Sequence, residues 1–382
     1  MRVLILGGDG YLGWPTAMDM SSQGHEVCVV DNYLRRTMAR ETNSLPLFDT
    51  PDLNSRSEIY KVETGKHIDV QIFDCADYKR LKALVSRFQP DTIIHYAEQP
   101  SAPYSMANFD HASLTLFNNL GTTFNVIWAC IEEAPNCHIV KLGTMGEYGT
   151  PNIDIEEGWI DIQHKGRSDK FLFPRQAGSL YHTTKILDTD LLWFYVRTYN
   201  LRVTDLMQGP VYGLETSQTS NNQDLMPNFH YDDLFGTVFN RFLVQAVAGV
   251  PLTIFGGGGQ TRGYLNLRDT LQCVSLASSN PAKHGELRIL NQFTETLSVN
   301  EIAKKIMNVG KSLGLDVEMQ SLKNPRKELE EHYYNPQVSG LKELGLNPTY
   351  LSDEIIGSMI ECILRQKEKI NQSIIMPRVR WS

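Results

Sequence analysis

The sequence contains no run approaching the roughly eighteen consecutive apolar residues that a membrane-spanning helix requires. It also lacks any long run of one charge, and at a net charge of −8 it offers no general basic face for nucleic acid. Its six cysteines, Cys28, Cys75, Cys130, Cys137, Cys273 and Cys362, lack the paired spacing of a metal site, so no metal is expected. Scattered in this way they read as reduced thiols, and the chain opens on a strand pattern rather than a signal peptide. The expectation is a cytoplasmic protein. There is no internal repeat and no low-complexity tract. Apolar material is ample: 41% of the 382 residues are hydrophobic, enough for one large domain or two.

Arg2 to Leu6 is a short apolar strand that runs into Gly7-Gly8-Asp9-Gly10-Tyr11-Leu12-Gly13, and a helical stretch follows to Gly24. Gly7, Gly10 and Gly13 permit a tight turn and let backbone N–H groups approach a pyrophosphate at a helix N-terminus. Pro15 is tolerated because it falls in the first turns, where its missing N–H costs little. A second strand, Glu26 to Asp31, ends in a carboxylate about 20 residues past the glycines. A carboxylate there accepts from a ribose 2′-hydroxyl and repels a 2′-phosphate, which favours NAD over NADP. Arg35 and Arg36 weigh the other way, since arginine can hold a phosphate. Residues 34–66 are polar and read as an insertion.

Strand-like segments recur at Ile68–Phe73, Thr92–Tyr96, His138–Leu142 and Leu201–Met207, with helical patterns at Tyr78–Phe88, Ala112–Glu133 and Tyr181–Tyr199 between them. This alternation predicts an α/β fold, a doubly wound parallel sheet of Rossmann type. Ligands of such sheets bind outside the carboxyl ends of the strands. Asp74 then stands at the adenine end, Ala97 and Gln99 follow the fourth strand, Thr144 and Glu147 the fifth, and Gln208 the sixth. Residues 149–178 form a long irregular connection, predicted to act as a lid or an interface. Past residue 213 the rhythm loosens into a helix over Asn240–Gly249, a capping-box helix from Ser298 with Glu301, and a closing helix over 351–371. The predicted division is a dinucleotide-binding domain with the catalytic residues over 1–213, and a smaller C-terminal α/β substrate-binding lobe over 214–382, interleaved with the first.

Tyr181-His182-Thr183-Thr184-Lys185 places a phenol and an ammonium on one helix face. Free tyrosine, with a pKa near 10, is a poor base at neutral pH. An ammonium about 4 Å away at an effective dielectric near 20 favours tyrosinate by roughly 4 kcal/mol, up to ~3 pK units. The expectation is a tyrosinate base assisted by lysine.

The order of these parts resembles the extended short-chain dehydrogenase/reductase family along the whole chain. The most specific stretches are Gly7–Pro15, Asp31-Asn32 with Arg35-Arg36, Gly143–Gly149, Tyr181–Lys185 and Gln260–Leu265, then Asn324-Pro325-Arg326 followed by Glu330–Asn335. Through them the chain is similar to the branch that joins sulfite to UDP-glucose with NAD, making a sulfosugar for lipid or glycan. The resemblance implies that Tyr181 takes the proton of the sugar 4-hydroxyl, Lys185 assists it and binds the nicotinamide ribose, and Thr144 bonds the 4-oxygen. Glu147 would be acid/base at C5, and His182 would orient the 6-position or help bind sulfite. Expected cofactor contacts are Gly7, Asp9, Gly10, Tyr11, Leu12, Gly13, Asp31, Asn32, Arg35, Arg36, Asp74, Ala97, Asn118, Tyr181, Lys185 and Gln208. Expected substrate contacts are Gln99, Thr144, Arg175, Gln176, Arg262, Arg326 and Glu328, and the family implies a homodimer. The chain departs from the pattern in the polar stretch 41–66. A 4-epimerase would leave Glu147 idle. A 4,6-dehydratase carries an adjacent Asp-Glu pair after the threonine, where this chain has Met145 and Gly146. A non-catalytic NAD-binding regulator can lose Tyr or Lys, and both are kept here.

Overall fold

The computed structural model describes residues 1–219, 222–324 and 333–379. The chain begins β1 (Arg2–Leu6), α1 (Gly13–Ser22), β2 (Glu26–Asp31), α2 (Leu34–Glu41), α3 (Leu53–Thr64), β3 (Ile68–Ile72), α4 (Tyr78–Phe88) and β4 (Thr92–His95). It continues through α5 (Ala102–Ser105), the long α6 (Phe109–Glu133), β5 (His138–Thr144), β6 (Trp159–His164), β7 (Arg167–Leu172), α7 (Leu180–Tyr199) and β8 (Arg202–Gln208). Then come β9 (Val211–Tyr212), α8 (Val238–Ala248), β10 (Leu252–Phe255), β11 (Thr261–Asn266), α9 (Leu267–Ser279), β12 (Glu286–Gln292) and β13 (Glu295–Ser298). The last elements are α10 (Val299–Ser312), β14 (Met319–Leu322), α11 (Gly340–Glu343) and α12 (Asp353–Leu364).

Seven strands form one sheet in the order β12-β8-β5-β4-β1-β2-β3, and every pairing is parallel. Helices cover both faces, which is why these strands are apolar on both sides. Leu4 and Leu6 of β1 pack toward α4, α6 and α7, while Val3 and Ile5 pack toward α1 and α9. The strand order reverses between β1 and β4, and a crevice opens there at the carboxyl ends. After residue 213 the chain returns to this sheet through α9 and β12, which pairs with β8. The remaining lobe packs α8, α10 and α12 around Phe242, Ile302, Ile306, Ile356, Ile360 and Ile363. Ser298 and Glu301 form the capping box that starts α10.

Three local readings change. The polar insertion holds two helices; Asp52 caps α3 by accepting from the backbone N–H groups of Asn54 and Ser55. Prolines 46 and 51 mask this signal, since they break the polar run without stopping α3. The connection 149–178 contains the antiparallel hairpin β6–β7, turned at Lys165-Gly166, both with positive φ. The closing helix ends at Leu364, and short 3-10 turns follow.

No helix among the described residues is long and apolar enough to cross a membrane. Among the same residues, no group of three or more His, Cys, Asp or Glu is placed to hold a metal ion.

Candidate active site

A cleft of about 760 Å³ opens over the switch point. At one end lies the glycine turn. Gly7 has φ +90, and a Cβ there would come within 2.8 Å of the Tyr96 carbonyl carbon; one on Gly13 would fall 2.0 Å from the Gly7 oxygen. Only glycine lets the chain turn this tightly against β4. α1 starts directly behind the turn with no side-chain cap and no acid in its first turn, so its N-terminal N–H groups and partial positive charge suit a pyrophosphate. Asp31, Asn32, Asp74, Ala97, Asn118 and Gln208 all line the cleft, as do Tyr11 and Leu12. Asp31 accepts from the backbone N–H of Asp9 at 2.8 Å and of Tyr33 at 2.7 Å. Burial, then the nearby Asp9 charge, pushes its carboxyl up to about 6. These groups fit a dinucleotide with a free ribose 2′-hydroxyl.

Asp9 and Arg36, both expected to contact the cofactor, face each other instead. Arg36 donates through Nε and Nη2 to the Asp9 carboxylate at 2.6 and 2.7 Å, and the fully buried Arg56 donates to it from α3. Neither Asp9 nor Arg36 lines the cleft. Arg35 does line it, with its guanidinium 4.1 Å from the centroid of the Phe235 ring. Of the arginines weighed as 2′-phosphate partners, Arg36 is therefore already paired.

The reaction corner lies at the other end. Ser179 caps α7 by accepting from the His182 backbone, and its hydroxyl also lies 3.0 Å from Nδ1 of the His182 ring. Tyr181 and His182 line the cleft, with ring centroids 5.1 Å apart. A Cβ at Gly146 would lie 2.3 Å from the His182 Nε2, so the residue after Met145 must be small. Thr144 lines the cleft and accepts from the Gly146 N–H at 3.1 Å.

Lys185 has a carboxylate partner that the helix spacing does not predict. Its Nζ lies 5.9 Å from the Tyr181 ring centroid but 2.8 Å from Glu98 Oε2, and it donates to the Leu142 carbonyl at 2.6 Å. Burial, then the Glu98 charge, raises the Tyr181 phenol well above the usual tyrosine range. The surroundings of Tyr181 in the protein thus favour the protonated phenol. Burial of the phenol and the carboxylate paired with the ammonium both oppose the tyrosinate that the helix spacing leads one to expect.

Glu147 is also displaced from its expected role. It is fully enclosed behind the wall that Thr144 and Gly146 form, and it does not line the cleft. Its Oε1 lies 3.3 Å from the Thr144 N–H, closing a capping box, and 3.7 Å from Lys141 Nζ; its Oε2 lies 3.6 Å from Arg175 Nη1. Burial raises its carboxyl above the usual range despite the Lys141 charge. Arg175 is correspondingly turned toward Glu147 and Asp190 rather than into the cleft. Gln99 is fully buried, donating to the Ser101 carbonyl and the Thr115 hydroxyl at 3.0 and 2.7 Å, so it braces the wall. Gln176 and Arg262 line the cleft. Arg326 and Glu328 lie outside the described residues.

The profile of the NAD dependent epimerase/dehydratase family matches residues 3–291. The chain is 47% identical over its whole length to the UDP-sulfoquinovose synthase, chloroplastic, of Spinacia oleracea, covering 79% of that protein. It is 44% identical, again over its whole length, to the UDP-sulfoquinovose synthase of Sulfolobus acidocaldarius, covering 98% of it. The chain belongs to the NAD-dependent epimerase/dehydratase family, on its UDP-sulfoquinovose synthase branch. Among solved structures it shares its fold with the UDP-glucose 4-epimerase of Bifidobacterium longum crystallised with NAD+ and UDP. The TM-score is 0.72 at 18% identity, over 97% of this chain and all of the other.

The site also contains residues that the sequence reading did not single out. Lys141, Asp188 and Asp205 gather behind the cleft with Lys185 and Glu147, and Glu98 joins them from the cleft wall. From the second lobe, Asn228, His230 and the run Asp233–Thr237 line the cleft. Arg378 fastens that run, donating through Nε and Nη2 to Asp233 at 3.1 and 2.9 Å. Asp-Asp pairs in polar loops give no local signal of such contacts.

Proposed function

We propose that this protein forms UDP-sulfoquinovose from UDP-glucose and sulfite, through 4-keto and 4-keto-5,6-ene sugar intermediates. The observation that carries the reading is full-length identity of 47% and 44% to two UDP-sulfoquinovose synthases. The cleft supports it by gathering the glycine turn, Thr144 and Tyr181 on one surface.

The glycine turn and Asp31 would hold NAD, which would supply a reversible hydride acceptor for C4 of the sugar. Tyr181 receives the proton of the 4-hydroxyl, and Thr144 bonds the 4-oxygen. The 4-ketone makes the C5 proton acidic; a base removes it and the 6-hydroxyl leaves as water. Because Glu147 is walled off, we assign these proton steps to His182, which lines the cleft beside Tyr181. Sulfite adds at C6, the electrophilic end of the alkene, and the C5=C6 electron pair shifts to C5, which takes a proton from solvent. When C4 is reduced, Tyr181 returns its proton to the 4-oxygen. Arg262, on the cleft wall, supplies charge for the UDP diphosphate. Lys185 and Asp31 serve the two riboses of the cofactor.

A second copy of this chain is expected along α6 and α7, which pack side by side. Phe117 and Phe124 on α6 and Phe194 on α7 are 72%, 43% and 50% exposed, an apolar face that water does not favour.

The test is incubation with UDP-glucose, with and without sulfite, and mass measurement of the nucleotide sugar. A sulfonated product is expected only with sulfite. UDP-galactose, a 4-keto-6-deoxy sugar or no product would overturn the reading.

A further inference from the structure

The reaction corner holds a carboxylate that the mechanism above leaves without a role. Glu98 follows β4 at the switch point and lines the cleft. Its side chain is almost wholly enclosed, and its Oε2 lies 2.8 Å from the Lys185 ammonium. Its Oε1 lies 3.7 Å from Nε2 of His95, a ring that burial depresses to about 4 and so keeps neutral at pH 7. Lys185 is therefore gripped between a carboxylate and the Leu142 carbonyl.

We infer that Glu98 is a positioning residue for the oxidation step: its carboxylate anchors the Lys185 ammonium and opposes ionisation of Tyr181, so the tyrosine becomes a base only when a further cation joins the cleft. This rests on the reading of Tyr181 as the base. The groups that face Tyr181 come from four places. Glu98 lies after β4, Lys141 on β5, Glu147 in the turn after β5, and Lys185, Asp188 and His182 on α7. Glu147 is held against Lys141 and Arg175. Asp188 is fully buried and does not line the cleft, and burial raises its carboxyl well above the usual range. Of these three carboxylates, Glu98 is the one that lines the cleft. Burial would raise Glu98, but the Lys185 ammonium beside it holds it below the usual range.

The nicotinamide ring of NAD+ is such a cation. An oxidising base formed only in its presence is suited to an enzyme that must not deprotonate its sugar while the hydride acceptor is missing. A unit charge roughly 6 Å away at an effective dielectric near 20 moves a pKa by about two units. The Lys185 ammonium stands at that distance, 5.9 Å from the Tyr181 ring centroid, so its pairing with Glu98 at 2.8 Å bears directly on whether Tyr181 ionises.

The experiment follows Tyr181 itself. Protein labelled with carbon-13 at tyrosine Cζ is loaded with NAD+ and titrated by NMR, and the Tyr181 signal is assigned by its loss in Tyr181→Phe. Glu98→Gln should lower the Tyr181 midpoint by about one to two pH units, a ten- to hundred-fold gain in tyrosinate at fixed pH. Glu98→Asp, which withdraws the charge by one methylene, should lower it less. The acid limb of NADH formation from UDP-glucose should move the same way, which loss of structure alone does not produce. An unchanged or raised midpoint in Glu98→Gln overturns the inference. If that variant does not fold, the Asp variant decides, with no downward shift counting against it. The titration uses no sugar, so a product lacking sulfonate would sink the proposed function and leave this result standing.

Discussion

Asp9→Asn tests the joint between the glycine turn and the insertion. The Asp9 carboxylate takes two hydrogen bonds from Arg36, at 2.6 and 2.7 Å, and one from Arg56. Arg56 is fully buried, its Nε and Nη1 have no hydrogen-bond partner, and its guanidinium sits 4.9 Å from the Trp14 ring centroid. An amide at position 9 strands that charge inside the protein, and removing one partner of a buried pair costs about 3–5 kcal/mol. Arg36 is 26% exposed and regains water, so it adds little to this. At an unfolding entropy of about 2.1 cal/mol/K per residue, the loss lowers the melting midpoint by roughly 4–6 °C. Denaturant and thermal unfolding of the cofactor-free protein measure it. Adding Arg56→Met to Asp9→Asn should restore most of the stability, because the stranded charge is gone and its volume is kept. A loss under about 1 kcal/mol, or no recovery in the double variant, refutes the buried-pair reasoning.

The Asp31 carboxyl rises from 3.8 to about 6 on folding, so between those values the folded chain binds more protons than the unfolded one. Stability of the cofactor-free protein should fall as pH climbs through that window. Asp31→Asn should flatten the fall in urea unfolding curves and weaken NAD binding about ten-fold or more by calorimetry. His182→Ala should reduce the rate of the C5 and C6 steps by about 10²–10⁴-fold while UDP-glucose still forms NADH; Glu147→Gln should act mainly on stability. A Glu147→Gln enzyme that forms NADH but loses the later steps would reverse that assignment. Phe117→Glu with Phe194→Glu should yield monomers in sedimentation, and a monomeric parent protein would end the dimer proposal.

The parts of the site that lie close together in the chain were legible in the sequence. The turn from Gly7 to Gly13, the acid at the end of β2 and the helix face of Tyr181 each carry their signal within a few residues, and periodicity marked the strands of the central sheet. Partnerships between distant residues were not legible. Glu98 and Lys185 meet only because β4 and α7 converge at the switch point, and nothing near either residue marks the pair. Asp9 looked like a cofactor contact by its place in the glycine turn, yet two arginines from the insertion claim its carboxylate. Glu147 stands in the right stretch, but a capping box turns it inward. The second-lobe run over the cleft depends on Arg378, near the end of the chain.

UDP-glucose carrying deuterium at C4 tests the central mechanism most directly. Converted in the presence of sulfite and examined by mass and NMR, the sulfonated product should keep its deuterium at C4, since the same hydride leaves and returns, and should draw its C5 hydrogen from water. A sulfonated product without the C4 label, or a labelled sugar that never gains sulfonate, would contradict a temporary oxidation at Tyr181 as the source of the electrophilic C6.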